Sequence, residues 1–329
     1  IFVLIFTHIW RASVLLISFF VFTVSNVISL GLLCRKQIRF QLSNPIKNPN
    51  VSKLFRMIFP LLLGYSLIYI NQMVDRMLVS GLGAGVVTAL NYGSVLSNLV
   101  TAFIATFCNI IFSYITTEIS RGNFKSASNI VNLSIKIFSI IFMPMTLICI
   151  ICSQDIVSIV YGRGAFDADA VLSASYALRG YAVMFVPMVF REIYTRFQYA
   201  FQDSKKPMIN GSIGIVSNII LSIVFCQFWG VYGVTLATSL SVLFSAVLNM
   251  ITAKTKSSEL NYSYLKKFGL KLVGVTIIST ILSMFVYGQL EMYSFFKVII
   301  ISAICFGVFG VCFLKDLFVG FKGYRNLKK

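Results

Sequence analysis

Polar side chains interrupt two apolar segments between residues 70 and 92. Asn71 and Asp75 are four residues apart, as are Gln72 and Arg76, so on a helix the two members of each pair share a face. Ionisable groups inside a hydrophobic span are costly and are functional candidates by default. Asp75 could hold a cation and Arg76 an anion. The alternative is that both are solvated or paired near the outer interface.

The next apolar segment also carries a polar face, which includes Asn91, Tyr92 and Asn98. Polar side chains between membrane helices often only join the helices, but the same face would suit a water-filled cavity. Further along the chain, Arg191 could bind a phosphate through its planar guanidinium or extend to lipid headgroups. The candidate residues of a substrate cavity are Arg76, Asn91, Tyr92, Asn98 and Arg191.

Two later residues, Asn218 and Thr238, offer neutral oxygen atoms of the kind that suits a hard monovalent cation. With Asp75 they form the candidate cation-binding set. No metal site and no catalytic residue is predicted, because the chain has ten acidic residues, one histidine and none of the common catalytic motifs. The sequence therefore favours transport or binding over an enzyme.

Long apolar segments must position these residues. Hydrophobic residues make up 58% of the 329-residue chain and charged residues 12%, about half the charged share of ordinary soluble domains. Apolar runs of about 18 residues or more, long enough to cross a bilayer, recur along the chain. This pattern predicts an all-α polytopic membrane helix bundle of about nine transmembrane helices. The predicted spans are 11–34, 54–80, 85–117, 126–160, 168–202, 208–229, 231–253, 268–288 and 293–314.

The positive charges indicate an orientation. The net charge is +18, and 21 of the 28 Lys and Arg residues lie at alternate ends of the predicted spans. Basic loops stay in the cytoplasm, so we expect a multi-pass protein of the bacterial cytoplasmic (inner) membrane with its C-terminus in the cytoplasm. The same distribution over short loops argues against nucleic acid as a partner.

Three motifs together resemble the MurJ/MviN family of lipid II flippases. The first is VDRMLVSGLG at 74–83 with ALNY at 89–92, the second is YGRGAF at 161–166, and the third is YAFQDSKKP at 199–207. That family belongs to the multidrug/oligosaccharidyl-lipid/polysaccharide exporter superfamily. The resemblance therefore implies a protein of fourteen helices in two lobes around a central cavity.

The resemblance also implies an organisation for this chain. Residues 1–34 would be the last helix of the first lobe and 35–52 a cytoplasmic basic linker. Residues 53–253 would form the second lobe, with six helices, and 254–329 two C-terminal helices with a basic cytoplasmic tail. The chain starts at Ile1 rather than Met, and we expect the first five helices of the family to be missing.

The implied function is movement of a polyprenyl-diphosphate-linked cell-wall or polysaccharide precursor across the membrane by alternating access. Some family members are thought to bind sodium through an Asp that matches Asp75, with further ligands near Asn218 and Thr238. The coupling ion would be Na⁺ or a proton, with no other cofactor. The expected partners are the lipid-linked oligosaccharide and membrane lipids, and the full-length protein is expected to be monomeric.

One departure from the family keeps alternatives open. The family usually has an arginine where this chain has Val95, and a proline where it has Val100. This change favours a related lipid-linked oligosaccharide, such as an O-antigen or capsule unit, over lipid II itself. A cation-coupled multidrug exporter, a non-transporting membrane scaffold and a polytopic glycosyltransferase or polymerase are the remaining hypotheses.

Overall fold

The computed structural model describes residues 13–34, 66–164, 166–257, 259–260 and 262–326, and their regular structure is entirely helical. The predicted all-α class is therefore confirmed. The helices are α1 (Ser13–Cys34), α2 (66–80), α3 (Val86–Ser120), α4 (Phe124–Ile151), α5 (Ser153–Tyr161), α6 (Ala168–Ala182), α7 (Phe185–Ala200), α8 (Lys205–Lys254), α9 (Tyr262–Gln289) and α10 (Ser294–Asn326).

The chain divides into two compact units, Ile1–Pro60 and Leu61–Lys329. In the first unit, α1 exposes large apolar side chains on several sides, such as Phe19, Phe22 and Leu33. A helix that is apolar all round suits a lipid environment. Residues 35–65 lie outside the described part, which includes the predicted linker and the first half of the predicted span 54–80. The predicted limits of the lobe and linker therefore stay predictions.

Several helices are long enough to cross a membrane. By length and composition, five helices of the described residues qualify: Val86–Ser120, Phe124–Ile151, Lys205–Lys254, Leu265–Gln289 and Ser294–Phe318. These helices coincide closely with predicted spans, and they make the chain a multi-pass membrane protein.

Helix α8 is a hairpin of two antiparallel arms. Straight, its 50 residues would reach about 75 Å, far more than a bilayer core. Gly230 instead has a left-handed φ of 55° and a ψ of −131°, a conformation that glycine adopts at little cost. Hydrogen bonds then join Asn218 to Thr238 and Asn210 to Asn249 across the two arms. The arms correspond to the two predicted spans 208–229 and 231–253.

Two of the predicted spans are each divided between two helices. The span 126–160 breaks at Cys152, between α4 and α5. The span 168–202 breaks at Val183 and Met184, between α6 and α7. The second break has a local cause, because the ring of Pro187 clashes with a helical carbonyl four residues earlier, at Val183.

The helices pack around two main apolar cores. One core joins α3, α4, α7 and the second arm of α8, with Ile104, Ile135 and Phe197 among its buried members. The other joins α4 to α9 and α10, with Ile301 and Phe313 fully buried. Helices α3, α6, α7 and α8 also pack closely on one another, and this group forms most of the wall of the candidate site.

Candidate functional site

A cavity of about 520 Å³ opens between α2, α3, α6, α7 and α8. Its wall is polar although the surrounding helices are apolar. Seven of the eight predicted site residues lie on this wall: Asp75, Arg76, Asn91, Asn98, Arg191, Asn218 and Thr238. The structure thus brings together residues from four helices that are up to 163 positions apart in the sequence.

Asp75 is the buried acid of the cavity, with only 6% of its surface exposed. Its Oδ2 atom accepts a long hydrogen bond from Asn71 Nδ2 at 3.4 Å. The other carboxylate oxygen, Asp75 Oδ1, is buried without a hydrogen-bond partner among the described residues, and so is Asn71 Oδ1. Unpaired buried oxygens are costly, so this pair offers two acceptor atoms to a cation or a proton.

Asn218 and Thr238 meet next to this acid across the α8 hairpin. Asn218 Nδ2 donates to Thr238 Oγ1 at 3.3 Å, and Ser222 Oγ donates to Asn218 Oδ1 at 2.9 Å. Ser222 also approaches Asp75. The three predicted cation ligands therefore belong to one connected polar patch of hydroxyl, amide and carboxylate oxygens, the donor types that Na⁺ accepts.

Two arginines, Arg76 and Arg191, line the cavity, and a carboxylate holds the second of them. Glu192 Oε1 accepts from Arg191 at 3.0 Å, and its Oε2 accepts from Arg196 at 2.7 Å. Arg196 also donates to Asn109 Oδ1 on α3 at 2.9 Å. Glu192 thus neutralises one of two arginines and fixes both side chains, so the cluster keeps one net positive charge. Of the two, Arg191 lies on the cavity wall.

Tyr92 is the predicted cavity residue that lies elsewhere. The centroid of its ring lies 4.6 Å from that of Tyr161 and 5.1 Å from that of Phe166. It therefore ties α3 to the second family-like motif, 161–166, instead of lining the cavity. Val95 is half exposed and is also absent from the cavity wall.

The third motif, 199–207, forms the turn between α7 and α8. Asp203 pairs with Lys256 Nζ at 2.7 Å and accepts from the backbone N–H of Lys206 at 3.2 Å. The hydrogen bonds from Lys256 and from the Lys206 backbone hold the pKa of Asp203 below its ordinary value. The motif is thus structural in this chain, because its acid joins the beginning and the end of the α8 hairpin.

Sequence reasoning missed several wall residues. Tyr181, Ser241 and Ser245 also line the cavity, and Ser245 Oγ is buried without a hydrogen-bond partner in the described residues. The spacing of four between Ser241 and Ser245 repeats that of Asn218 and Ser222 on the facing arm. This repeat is a signal for a shared polar face.

A polar cavity with a buried acid, enclosed by apolar helices of membrane-spanning length, defines this chain as a helical membrane protein with an internal polar site. The comparisons with known proteins make the class specific. The family model of the lipid II flippase MurJ matches residues 1–306, and the chain belongs to that family.

Individual relatives agree with this membership. The chain is 28% identical over 235 residues to a probable lipid II flippase MurJ of Vibrio cholerae, which covers 70% of this chain and 42% of that protein. It is 24% identical over 308 residues to the Rickettsia prowazekii protein of the same name, which covers 92% of this chain and 60% of the relative. The chain thus spans about two fifths to three fifths of the length of these relatives.

A solved structure shares the fold. A lipid II flippase MurJ in an inward closed conformation superposes with a TM-score of 0.71 at 24% identity, over 85% of this chain and 57% of that one. A crystal structure of a MATE protein superposes more weakly, with a TM-score of 0.50 at 17% identity. Both matches concern the fold alone.

Proposed function

We propose that this chain supplies one lobe of a flippase that moves a polyprenyl-diphosphate-linked precursor across the cytoplasmic membrane by alternating access. The precursor is lipid II or a related lipid-linked oligosaccharide. The observation that carries the proposal is the polar cavity of a MurJ-family chain, since both Arg76 and Arg191 line it. Guanidinium groups suit a diphosphate, and the polar wall suits the sugar.

The related-oligosaccharide alternative rests on Val95. The family usually has an arginine at this position, and its loss lowers the positive charge along α3. A substrate with fewer acidic groups than lipid II would need fewer cations, so an O-antigen or capsule unit is the second candidate.

The buried oxygens support coupling to a cation. Asp75 Oδ1 and Asn71 Oδ1 have no hydrogen-bond partner among the described residues, and Asn218 and Thr238 lie in the same cavity. Binding of Na⁺, or of a proton at Asp75, would satisfy these acceptors and remove the cost of a buried charge. The cation would then favour one of the two states of the transport cycle.

The proposed orientation and assembly follow the sequence. The basic loops and the C-terminus would face the cytoplasm of a bacterium, and the lipid tail of the substrate would stay in the bilayer while its head crosses the cavity. The full-length protein would act as a monomer, because both lobes that alternating access needs would lie in one polypeptide.

The test uses the full-length protein that carries this chain, reconstituted in vesicles with fluorescent lipid II or another polyprenyl-diphosphate-linked sugar. We expect translocation of at least one substrate and a rate that depends on Na⁺ or on pH. Asp75→Asn keeps the shape of the side chain but removes its charge, and should lower the rate at least about tenfold and abolish the cation dependence. The matched control is Asp316→Asn on α10, whose carboxylate pairs with Lys271 on α9, away from the cavity.

Two results would refute the proposal. One is a folded full-length protein that translocates no polyprenyl-linked sugar, which would favour a scaffold or, if drugs are exported, a multidrug exporter. The other is an equal loss of rate in the Asp75 and Asp316 variants, which would remove the cavity acid from the mechanism.

A further inference from the structure

A second cavity, of about 640 Å³, lies between α4, α6, α9 and the turn of the α8 hairpin. It has no lining residue in common with the central cavity. Its wall is aromatic and aliphatic, with four rings from Tyr176, Trp229, Tyr232 and Tyr287. The single charged side chain on this wall is Arg179. We call it the lateral pocket.

Arg179 is half-buried and keeps donors free for a ligand. Its Nε donates to Ser153 Oγ at 2.5 Å, and its guanidinium lies 5.7 Å from the centroid of the Tyr176 ring. Among the described residues, the two terminal nitrogens have no hydrogen-bond or ion-pair partner. A guanidinium anchored in this way presents a fixed pair of donors, which suits a phosphate.

The neighbouring charges leave the lateral pocket positive. The nearby acid, Asp155, is buried and accepts a 2.6 Å hydrogen bond from the Tyr287 hydroxyl, and it forms no ion pair with Arg179. Lys297 adds a second cation, 5.4 Å from the centroid of the Tyr287 ring. Arg179 and Lys297 therefore lie near Tyr287 together with one carboxylate, Asp155, and an anion would balance the charge.

The position and the walls identify the kind of anion. The pocket lies where the α8 hairpin turns and where α9 ends, which is one end of the spanning helices. Trp and Tyr concentrate at the level of lipid headgroups. A free phosphate would leave the apolar walls without contact, whereas an amphiphile would use both Arg179 and aliphatic side chains such as Met284 and Ile150.

We propose that the lateral pocket binds one anionic phospholipid, with its phosphate on Arg179 and its acyl chains along Met284 and Ile150. The ligand is a bilayer lipid rather than the transported substrate, since the pocket and the central cavity have separate walls. The bound lipid would fill the gap between α6, α8 and α9 and so join the two C-terminal helices to the rest of the unit.

Trp229 provides a direct probe of occupancy. The chain has two tryptophans, so Trp10→Phe, with phenylalanine in place of any tryptophan in the rest of the full-length protein, leaves Trp229 as the only tryptophan reporter. Trp229 lines the pocket. This protein would be reconstituted in vesicles that contain brominated phosphatidylglycerol or brominated phosphatidylcholine, because bromine quenches nearby tryptophan. One arginine near lipid contributes about a fivefold preference for the anionic lipid. We expect the ratio of apparent affinities for brominated phosphatidylglycerol and brominated phosphatidylcholine, read from Trp229 quenching, to show that preference in the parent. The same ratio should be near one in Arg179→Gln.

Two further variants make the test specific. Arg163→Gln removes the same charge from an exposed arginine outside the pocket and should keep the preference. Gly288→Leu fills the pocket while Arg179 stays, since a Cβ at Gly288 meets nothing within 4 Å, and it should weaken quenching by both lipids. If circular dichroism and gel filtration show that Arg179→Gln does not fold, Gly288→Leu still tests whether a lipid occupies the pocket.

Three results would overturn the proposal: equal quenching by the two lipids in the parent, an equal loss of preference in the Arg163 and Arg179 variants, or undiminished quenching in Gly288→Leu. A response of Trp229 to a polyprenyl diphosphate but not to brominated phosphatidylglycerol would assign the pocket to the transported substrate, and would also overturn it.

Discussion

The contact between α6 and α8 depends on the absence of a side chain at Gly180. A Cβ at this position would overlap Thr235 Oγ1 and lie 2.8 Å from Thr235 Cβ and 3.0 Å from the backbone nitrogen of Leu236. Rotation of Thr235 would move its hydroxyl but neither of the other two atoms. Gly180→Ala therefore forces the two helices apart, and such overpacking costs about 1–3 kcal/mol.

Alanine also favours helix formation by about 1 kcal/mol relative to glycine, so the experiment needs a matched substitution. Gly274→Ala on α9 is suitable, because a Cβ there meets nothing within 4 Å. The free energy of unfolding would be measured by titration with SDS in mixed micelles. We expect Gly180→Ala to be less stable than Gly274→Ala by about 1–3 kcal/mol.

Separation of α6 and α8 in Gly180→Ala would also move residues of the central cavity. The neighbouring Tyr181 lines the central cavity, as does Thr238 on the helix that would move. Ser239 also donates a 2.6 Å hydrogen bond to the Gly180 carbonyl, and separation of the helices would stretch it. Equal stabilities of the two alanine variants would refute the reasoning, because they would show that the close approach of α6 to α8 does not exist in the folded protein.

Two further predictions concern buried or paired acids. Asp203→Asn should be less stable than the parent at pH 7, and the difference should narrow toward pH 3. The reason is that the pKa of Asp203 is lowered in the folded state, so its stabilisation is complete above the ordinary pKa of about 3.9 and is lost as the pH falls through the lowered value. Unfolding at both pH values checks this, and a constant difference would contradict it. Tyr287→Phe should cost about 1–3 kcal/mol because buried Asp155 loses its donor. Tyr293→Phe, at a residue 84% exposed, should be neutral in the same unfolding assay, and equal effects would argue against the hydrogen bond.

Much of the fold could be predicted from the sequence because a bilayer imposes simple rules. Every backbone polar group must be satisfied inside lipid, so long apolar runs must be helices. The turn at Gly230 was predictable for the same reason, since the apolar run on either side is too long for one crossing. The break at Val183 and Met184 has a sequence signal, Pro187, that the hydropathy pattern hides. The break at Cys152 has a weaker signal, since neither proline nor glycine is present and only the polar run at 153–155 marks the start of α5.

The site was predictable to the extent that polar side chains avoid lipid. Asn71, Asp75 and Asn218 each interrupt an apolar helix. Burial in a shared polar region has a lower free energy than exposure of each side chain to lipid. Their roles in cation binding stay predictions. Tyr92 shows the limit of this reasoning, since it follows Asn91 directly and lies about 100° further around the helix. Only the packing of Tyr161 and Phe166 decides which side that ring faces.

The sequence by itself determined that this chain is a multi-pass helical membrane protein of the MurJ family, because hydropathy and three motifs are local properties of the chain. Tertiary structure alone decided which polar groups share a cavity, that Glu192 holds both Arg191 and Arg196, and that Arg179 lies in an aromatic pocket. Such relations depend on distances between helices far apart in the chain. Those distances are set by how side chains of complementary size pack together, as at Gly180.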